Sequence, residues 1–551
     1  MGMNPALSAR EGRPKGLLAG TVGLLFHHRP TGAPSMSRAY TTKIPEAHPF
    51  ARSSAKLLSM QEHLTERDTL GEEHGAVERW LMVEGRELMR LMFQEHLDLR
   101  GDAEQPVKVV AADGVARDAV RASERGLESV FGDVDVPRLL YQAPGRVGLA
   151  PMDALLNLPR DHYSHGVREI IAKEIARASY DEVSELIRDY SGAKIAKRQI
   201  EEVALAVSAD FDAFYEMRRL ERELTDDLLV ISTDGKGIVM LHEHLREETR
   251  KRAEKRVNNV EVRLSPGEKK DSKRMAQAAT VYTAPRWART SGDVLHGIRD
   301  EATETKRPEP RNKRVWASVE RTPRAVIREA FDEALRRDPE RRRRWVVLID
   351  GNATQLEAVK AEAKRVGVTI TILVDVVHVI EYVWKAARAI FGKTTQEAEK
   401  WVGERFLALL SGASGGEIAK TIRRHADQRK LSAARREAVR KSCRYLTDRK
   451  RTRLMKYADA LRDGLPISTG VIEGVCRYLV KDRMDRTGAR WSVDGAEAVL
   501  RLRAIRASGD FDEYWHFHLA REKERNHANH YEGRVVPCPL PGKTRHLRLV
   551  K

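Results

Sequence analysis

The sequence predicts an α/β domain flanked by long helical stretches, and three observations carry that reading. Three runs are apolar and β-branched enough to be strands buried on both faces: Leu228–Met240, Trp345–Gly351 and Val368–Asp375. The last two are separated by the helical stretch Gln355–Val366, which makes a β-α-β unit whose parallel strands end at one edge of the sheet. Apolar residues recur at helical spacing through most of what lies before and after. With 551 residues there is room for two or three domains, and 41% hydrophobic content fits a soluble globular protein.

Lys and Arg outnumber Asp and Glu by 99 to 81, and this surplus of 18 points to nucleic acid or another anionic partner. No apolar run approaches the roughly 18 residues of a membrane span. Cys443, Cys476 and Cys538 are too few for a disulfide framework and lack paired metal-ligand spacing, so a reduced, cytoplasmic setting is expected. Residues 1–60 read as a disordered leader. The run Leu17–Phe26 behind Arg10, Arg13 and Lys15 mimics a targeting core, and Met36 and Met60 offer alternative starts.

In chain order, Val77, Trp80, Leu81, Val83, Leu88, Leu91 and Met92 predict a helix over 76–95. Residues 127–136 read as a hairpin turned at Gly132-Asp133. Helices are expected over 167–177, 180–190 and 193–207. The last two, joined at Ser191-Gly192, have a helix-turn-helix shape with Lys194, Lys197 and Arg198 opening the second helix, where side chains reach base edges. An ordinary helical hairpin with a solvated basic face fits the same residues. After the first buried strand come a charged insertion (242–273), a strand over 275–282, a basic loop (299–313) and a helix over 324–337. Arg341–Arg344 reads as a solvated helix end. From His378 to about Asp463 the pattern is helical throughout. Helices over 493–506 and 511–526 precede an irregular tail from Glu532, and no internal repeat is evident.

Asp234 interrupts the first buried strand, and a carboxylate there is costly unless a cation neutralises it. Gly235 and Gly237 leave space beside it for close approach. Taken alone, Asp234-Gly235 fits a strand-end turn better than a site. Asp350 ends the second strand and Glu473 opens a helix. Hard Mg²⁺ or Mn²⁺ ions prefer such oxygen ligands, and a pair of them suits phosphodiester chemistry. Around Glu473 lie Arg477, Lys481, Arg483, Arg486 and Arg490, with Arg477 and Lys481 on one helical face suited to phosphate. Tyr478 and Trp491 fit either stacking on bases or core packing, and Cys476 reads as a small buried residue rather than a nucleophile.

These segments, Thr233–Met240, Trp345–Gly351, Asp375–Ala387, Gly470–Arg477, Val480–Met484, Thr487–Trp491 and Gly509–Trp515, closely resemble the ISKra4 family of bacterial insertion-sequence transposases over about residues 120–530. The resemblance implies a DDE transposase: an RNase H-like catalytic core with an all-helical insertion, preceded by a mainly helical DNA-binding region. It implies metal-dependent strand cleavage and 3′-end transfer, with water and then a freed 3′-hydroxyl as nucleophiles. Asp234, Asp350 and Glu473 would be the catalytic, metal-binding triad, holding two Mg²⁺ (or Mn²⁺) ions. In such a sheet Asp375 lies one strand further out, so Asp375 and His378 are expected behind the ligands rather than among them. Lys194, Lys197, Arg198, Arg477, Lys481, Arg483, Arg486 and Arg490 would contact double-stranded DNA, with a dimer or higher homo-oligomer pairing the element ends. The expected divisions are 61–222 for DNA binding, 223–385 for the first part of the core, 386–465 for the insertion, 466–530 for the last part of the core and 531–551 for the tail. A non-transposing nuclease of the same core, or a non-catalytic DNA-binding protein, remains an alternative.

Overall fold

The computed structural model describes residues 48–541, apart from 219–222, 224, 256–271, 299–307, 393–394, 487 and the side chains of 298 and 450. The expected leader up to residue 47, most of the charged insertion after residue 255 and much of the basic loop lie outside the described residues. Everything described from Pro49 onward belongs to one unit.

That unit is mixed α/β, and its centre is a five-stranded sheet. The strands are β3 (Leu228–Val239), β4 (Lys273–Ala284), β5 (Arg311–Ser318), β6 (Trp345–Ile349) and β7 (Ile370–Val374), in the order β5-β4-β3-β6-β7. β3, β4 and β5 pair antiparallel, whereas β3-β6 and β6-β7 pair parallel. Every residue of β6 is buried, as are Leu228 to Thr233 in β3, so continuous apolar runs were needed there. The helices Pro323–Arg337 and Ala353–Val366 pack together, the first of them also on β4 and β3; Val493–Ser508 packs on β5. Phe331 and Trp345 meet at 6.1 Å within this core, and both are fully buried. Burying a large apolar side chain of this kind contributes roughly 1.5–3 kcal/mol.

Ahead of the sheet, β1 (Ala119–Ser129) and β2 (Gly132–Gln142) form a hairpin against the helix His74–Asp102. Its turn falls at Val130-Phe131, two residues before the expected site, because Ser129 pairs with Gly132 and Phe131 packs edge-on to Phe93 at 6.5 Å. The helix Ala51–Thr65 corrects the leader boundary: order begins before residue 60, with Glu95 of the long helix accepting from the Arg52 amide at 2.7 Å.

Two further expectations need correction. The basic loop runs directly into a strand, β5, whose first residues are charged and exposed and whose last five are buried. The arginine run is not a solvated helix end. Arg343 is buried and donates to Glu223, Thr283 and the Leu228 carbonyl, while Arg344 pairs with Asp463 at 2.9 Å. These arginines fasten the start of β6 to its neighbours.

Between β7 and the Glu473 helix the chain is helical, as the pattern predicts: Val376–Phe391, Gln396–Leu410, Gly415–Asp427, Ala433–Thr447, Arg449–Thr452 and Tyr457–Arg462. Ser414 and Glu417 close a capping box that starts one of them. Tyr531 is buried and bridges to Ala111, and after the short turn Glu532–Arg534 the described residues of the tail are irregular, as expected.

Candidate acidic site at the end of the sheet

Parallel register brings the predicted aspartates together. Ser232 pairs with Leu348 and Ile349 pairs with Val374. Carrying those registers forward aligns Asp234, Asp350 and Asp375 at the same level of three adjacent strands, about 4.8 Å from one to the next. Where the β3-β6 ladder ends, Gln355 Nε2 takes over, donating to the Thr233 carbonyl at 2.8 Å and to its Oγ1 at 2.7 Å. Thr233, Asp234, Gly235, Asp350, Asn352 and Gln355 line a cavity of about 280 Å³. Asp350 is held by the Asn352 amide at 2.8 Å, and Gly351 takes φ +86°, which a residue with a side chain would adopt only under strain.

Glu473 arrives from the helix Gly470–Val475, which packs on β3 and β4. Cys476, one turn further on, sits 3.4 Å through Sγ from Asp234 Oδ2, so the helix face that carries Glu473 is the face turned to Asp234. Burial, then Asp234, pushes the Cys476 thiol up, which keeps it a neutral donor and no nucleophile. Immediately after Val475 the helix widens into a π turn over Cys476–Lys481, a distortion often found at functional sites.

Asp375 is only 2% exposed and makes the seat of this helix. It caps the helix Val376–Phe391 by accepting from the Val377 amide at 3.0 Å. It also accepts from the Thr469 amide at 3.2 Å and from Thr469 Oγ1 at 2.5 Å. Thr469 Oγ1 lies 3.4 Å from Glu473 Oε1 as well. Partial burial, then the charge of Asp375 and a hydrogen bond with it, and finally Asp234, raise the Glu473 carboxyl above the ordinary range. Glu473 thus senses both Asp375 and Asp234. His378 makes ring contacts with Tyr382 at 6.0 Å and Tyr445 at 6.3 Å and belongs to an aromatic wall.

The rest of that wall has no counterpart among the sequence expectations. Tyr445 stacks on Tyr382 at 3.7 Å and its hydroxyl donates to the Asp350 carbonyl at 3.2 Å. Arg451 donates to the Gly351 carbonyl at 2.8 Å and lies over the Tyr445 ring at 4.5 Å. Both residues come from the helical insertion, about a hundred positions away, and no local spacing announces them.

Of the predicted cationic contacts, Arg477, Lys481 and Arg490 are exposed. Arg483 is not available: it is 3% exposed, lies over the Tyr180 and Trp491 rings at 5.5 and 4.9 Å, and donates to the Ile175 carbonyl. Trp491 is core, donating to the Met484 carbonyl at 3.0 Å. Arg486 is paired with Glu182 at 2.6 Å. The helices Tyr180–Ser191 and Lys197–Val207 are joined by 192–196, because Gly192 ends the first in a left-handed conformation and Gln199 caps the Ala196 amide. Lys194 therefore lies on the connection, not on the second helix. Lys197 and Arg198 do open that helix, exposed and paired with Asp181 at 2.9 Å and Glu202 at 3.1 Å.

Among the described residues no three His, Cys, Asp or Glu side chains close to coordination distance. Asp234 and Asp350 line one cavity, and Glu473 feels the charges of Asp375 and Asp234, so the carboxylates offer oxygen donors of the kind a hard divalent cation takes. No helix among the described residues is long and apolar enough to cross a membrane. Neither protein-family models nor curated proteins gave a match to this chain.

Proposed function

We propose that this chain is a DDE-type DNA transposase with an RNase H-like core, cutting the ends of an insertion sequence and joining the freed 3′ end to target DNA. One observation carries the reading. Residues 116 positions apart, Asp234 and Asp350, line one cavity at the end of a mixed sheet, and Glu473, 123 positions further on, is close enough to Asp375 and Asp234 for their charges to raise its carboxyl. Asp234, Asp350 and Glu473 would hold two Mg²⁺ or Mn²⁺ ions, which when bound activate the attacking oxygen and neutralise the leaving one. Asp375 orients Glu473 through Thr469. Gln355 fixes the end of β3, and Tyr445 with Arg451 fixes the backbone on either side of the Asp350–Gly351 peptide.

In the same reading the connection and helix start carrying Lys194, Lys197 and Arg198 meet the element ends, and Arg477, Lys481 and Arg490 meet the phosphate backbone beside Glu473. A second copy of the chain would complete the synaptic pair. Supporting this, exposed Met82, Met89, Met92 and Leu99 follow a seven-residue a/d spacing on the helix His74–Asp102.

The test is a cleavage assay on DNA carrying the element ends, with Mg²⁺ supplied. Asp234→Asn, Asp350→Asn and Glu473→Gln should each abolish cutting while DNA binding survives. Cutting by any one of them removes that residue from the site. Cleavage without end joining by the wild-type chain would leave a nuclease.

A further inference from the structure

The positive surplus is concentrated in one place. Residues 415–456 hold fifteen Lys and Arg against four Asp and Glu, a local surplus of eleven out of the eighteen of the whole chain. They form the helices Gly415–Asp427, Ala433–Thr447 and Arg449–Thr452 of the insertion. Ile418, Ala419, Ile422, Val439 and Leu446 are buried where the first two helices pack on each other and on Val376–Phe391. The cations are consequently forced outward, and Arg423, Arg424, Lys430, Arg436, Arg440 and Arg444 are all exposed.

Arg423, Arg429, Lys430, Arg436 and Arg440 wall a cleft of about 690 Å³ that contains one carboxylate, Asp427. Arg429 is paired with Glu397 at 3.1 Å and Arg440 with Glu437 at 2.7 Å. Among the described residues, Arg423, Lys430 and Arg436 form no ion pair. Arg436, Arg440 and Arg444 stand at i, i+4 and i+8, a ridge with steps of about 6 Å. A ridge of this kind suits a polyanion carrying closely spaced charges along its length, as each strand of a duplex does.

The same helical segment also reaches the acidic site. Arg451, just past the helix pair, donates to the Gly351 carbonyl, and Tyr445 of the second helix holds the Asp350 carbonyl.

We infer that this helix pair is a main backbone-gripping face for duplex DNA, placed to hold the strand whose phosphate enters the acidic cleft. The inference rests on the transposase reading for the identity of the polymer. It adds the insertion to the DNA-binding surface, which the sequence expectations confine to the helix-turn-helix and the Glu473 region.

The experiment uses the full chain and a fluorescent duplex of about 30 base pairs, in EDTA, titrated between about 50 and 200 mM salt. A triple variant, Arg423→Ala, Lys430→Ala and Arg436→Ala, should bind at least tenfold more weakly at the lower salt. Its salt slope should be shallower by about 0.9 for each phosphate no longer neutralised, so by nearly three for all three side chains. Arg423→Lys with Arg436→Lys keeps the charge and should keep the slope, which separates missing charge from a damaged fold. An unchanged affinity and slope in the triple variant overturns the proposal. So does tighter binding of RNA or of an acidic protein than of duplex DNA by the wild-type chain. Because the titration is run in EDTA, no cleavage is required for the readout. Wild-type binding to duplex without any cutting of element ends would sink the transposase reading and leave the DNA-gripping face standing.

Discussion

Replacing Asp375 by Asn separates two jobs that a carboxylate at this position can do: seating the Glu473 helix and holding a cation. Asn keeps one oxygen for the Val377 and Thr469 amides, and its NH₂ faces Thr469 Oγ1, which can turn to accept. All three bonds survive in geometry, but each loses its charge assistance. Bonds to charged groups contribute about 1.5–3 kcal/mol and neutral ones about 0.5–1.5, so the loss is about 1 kcal/mol per bond and about 3 in all. Against this, a buried charge no longer has to be desolvated and the repulsion of Glu473 disappears. The net expectation is a destabilisation of about 1–2 kcal/mol, read as a fall of a few degrees in a thermal melt.

The catalytic consequence has a sign. Removing the Asp375 charge lets the Glu473 carboxyl return toward the ordinary range, so Glu473 stays ionised to lower pH and the acid limb of the cleavage profile moves down. The rate at neutral pH should fall by about 10–100-fold, the usual cost of losing a partner behind a ligand, with the Mg²⁺ dependence unchanged. A melt at the wild-type temperature combined with loss of all cleavage and of Mg²⁺-induced stabilisation would refute this. That outcome would make Asp375 a ligand.

Three further outcomes are expected. Burial alone would raise the Glu333 carboxyl, but Arg314, Arg337 and Arg336 outweigh it and bring it to about 2. A depressed carboxylate contributes stability above its ordinary value near 4.5 and loses it as pH falls toward 2, here about 3 kcal/mol. Glu333→Gln should therefore lower stability in denaturant titrations at pH 7 by about that much, with the deficit shrinking below pH 4; a pH-independent deficit contradicts the assignment. Met89→Lys with Met92→Lys should give a monomer by light scattering if the heptad stripe pairs two copies, and an unchanged mass would clear that stripe of the role. Neutralising Lys194, Lys197 and Arg198 should weaken binding to element ends more than to random duplex, and equal weakening would assign them backbone contacts only.

How much of the fold is legible in the sequence follows from burial. β3 and β6 are buried along most of their length and β7 at its end, and a continuous Val/Ile/Leu run of strand length marks just such a position. β5 is hidden because its first three residues, Arg311-Asn312-Lys313, are polar and only the last five are buried, whereas β7, at the other edge, keeps a mostly apolar run. Gly132-Asp133 looks like a turn in any local reading, but Phe131 against Phe93 shifts the turn to the residues before it. Arg483 reads as one more cation in a basic stretch until Tyr180, some three hundred positions earlier, covers it. The acids are legible as candidates because a carboxylate inside or at the end of an apolar strand is conspicuous. The role of Asp375 as a seat for Thr469 is not, since it depends on a partner 94 residues away.

The same topology explains why so long an insertion can separate Asp375 from Glu473 without dispersing the site. Closing a longer loop costs only about 0.6 kcal/mol for each doubling of its length, so inserted helices burden the fold little if they pack. They do pack, with Tyr457 donating to the Val374 carbonyl at 2.9 Å and Leu446 fully buried. The inserted segment leaves from the helix that Asp375 caps and returns to Thr469, which bonds the same carboxylate. Asp375 is therefore the clasp of the insertion: one buried side chain fixes both of its ends and thereby the position of Glu473. A loosened clasp would move Glu473 and the arginine-rich helix pair together, and Tyr445 and Arg451, which bond the Asp350 and Gly351 carbonyls, would carry that movement to the second acid.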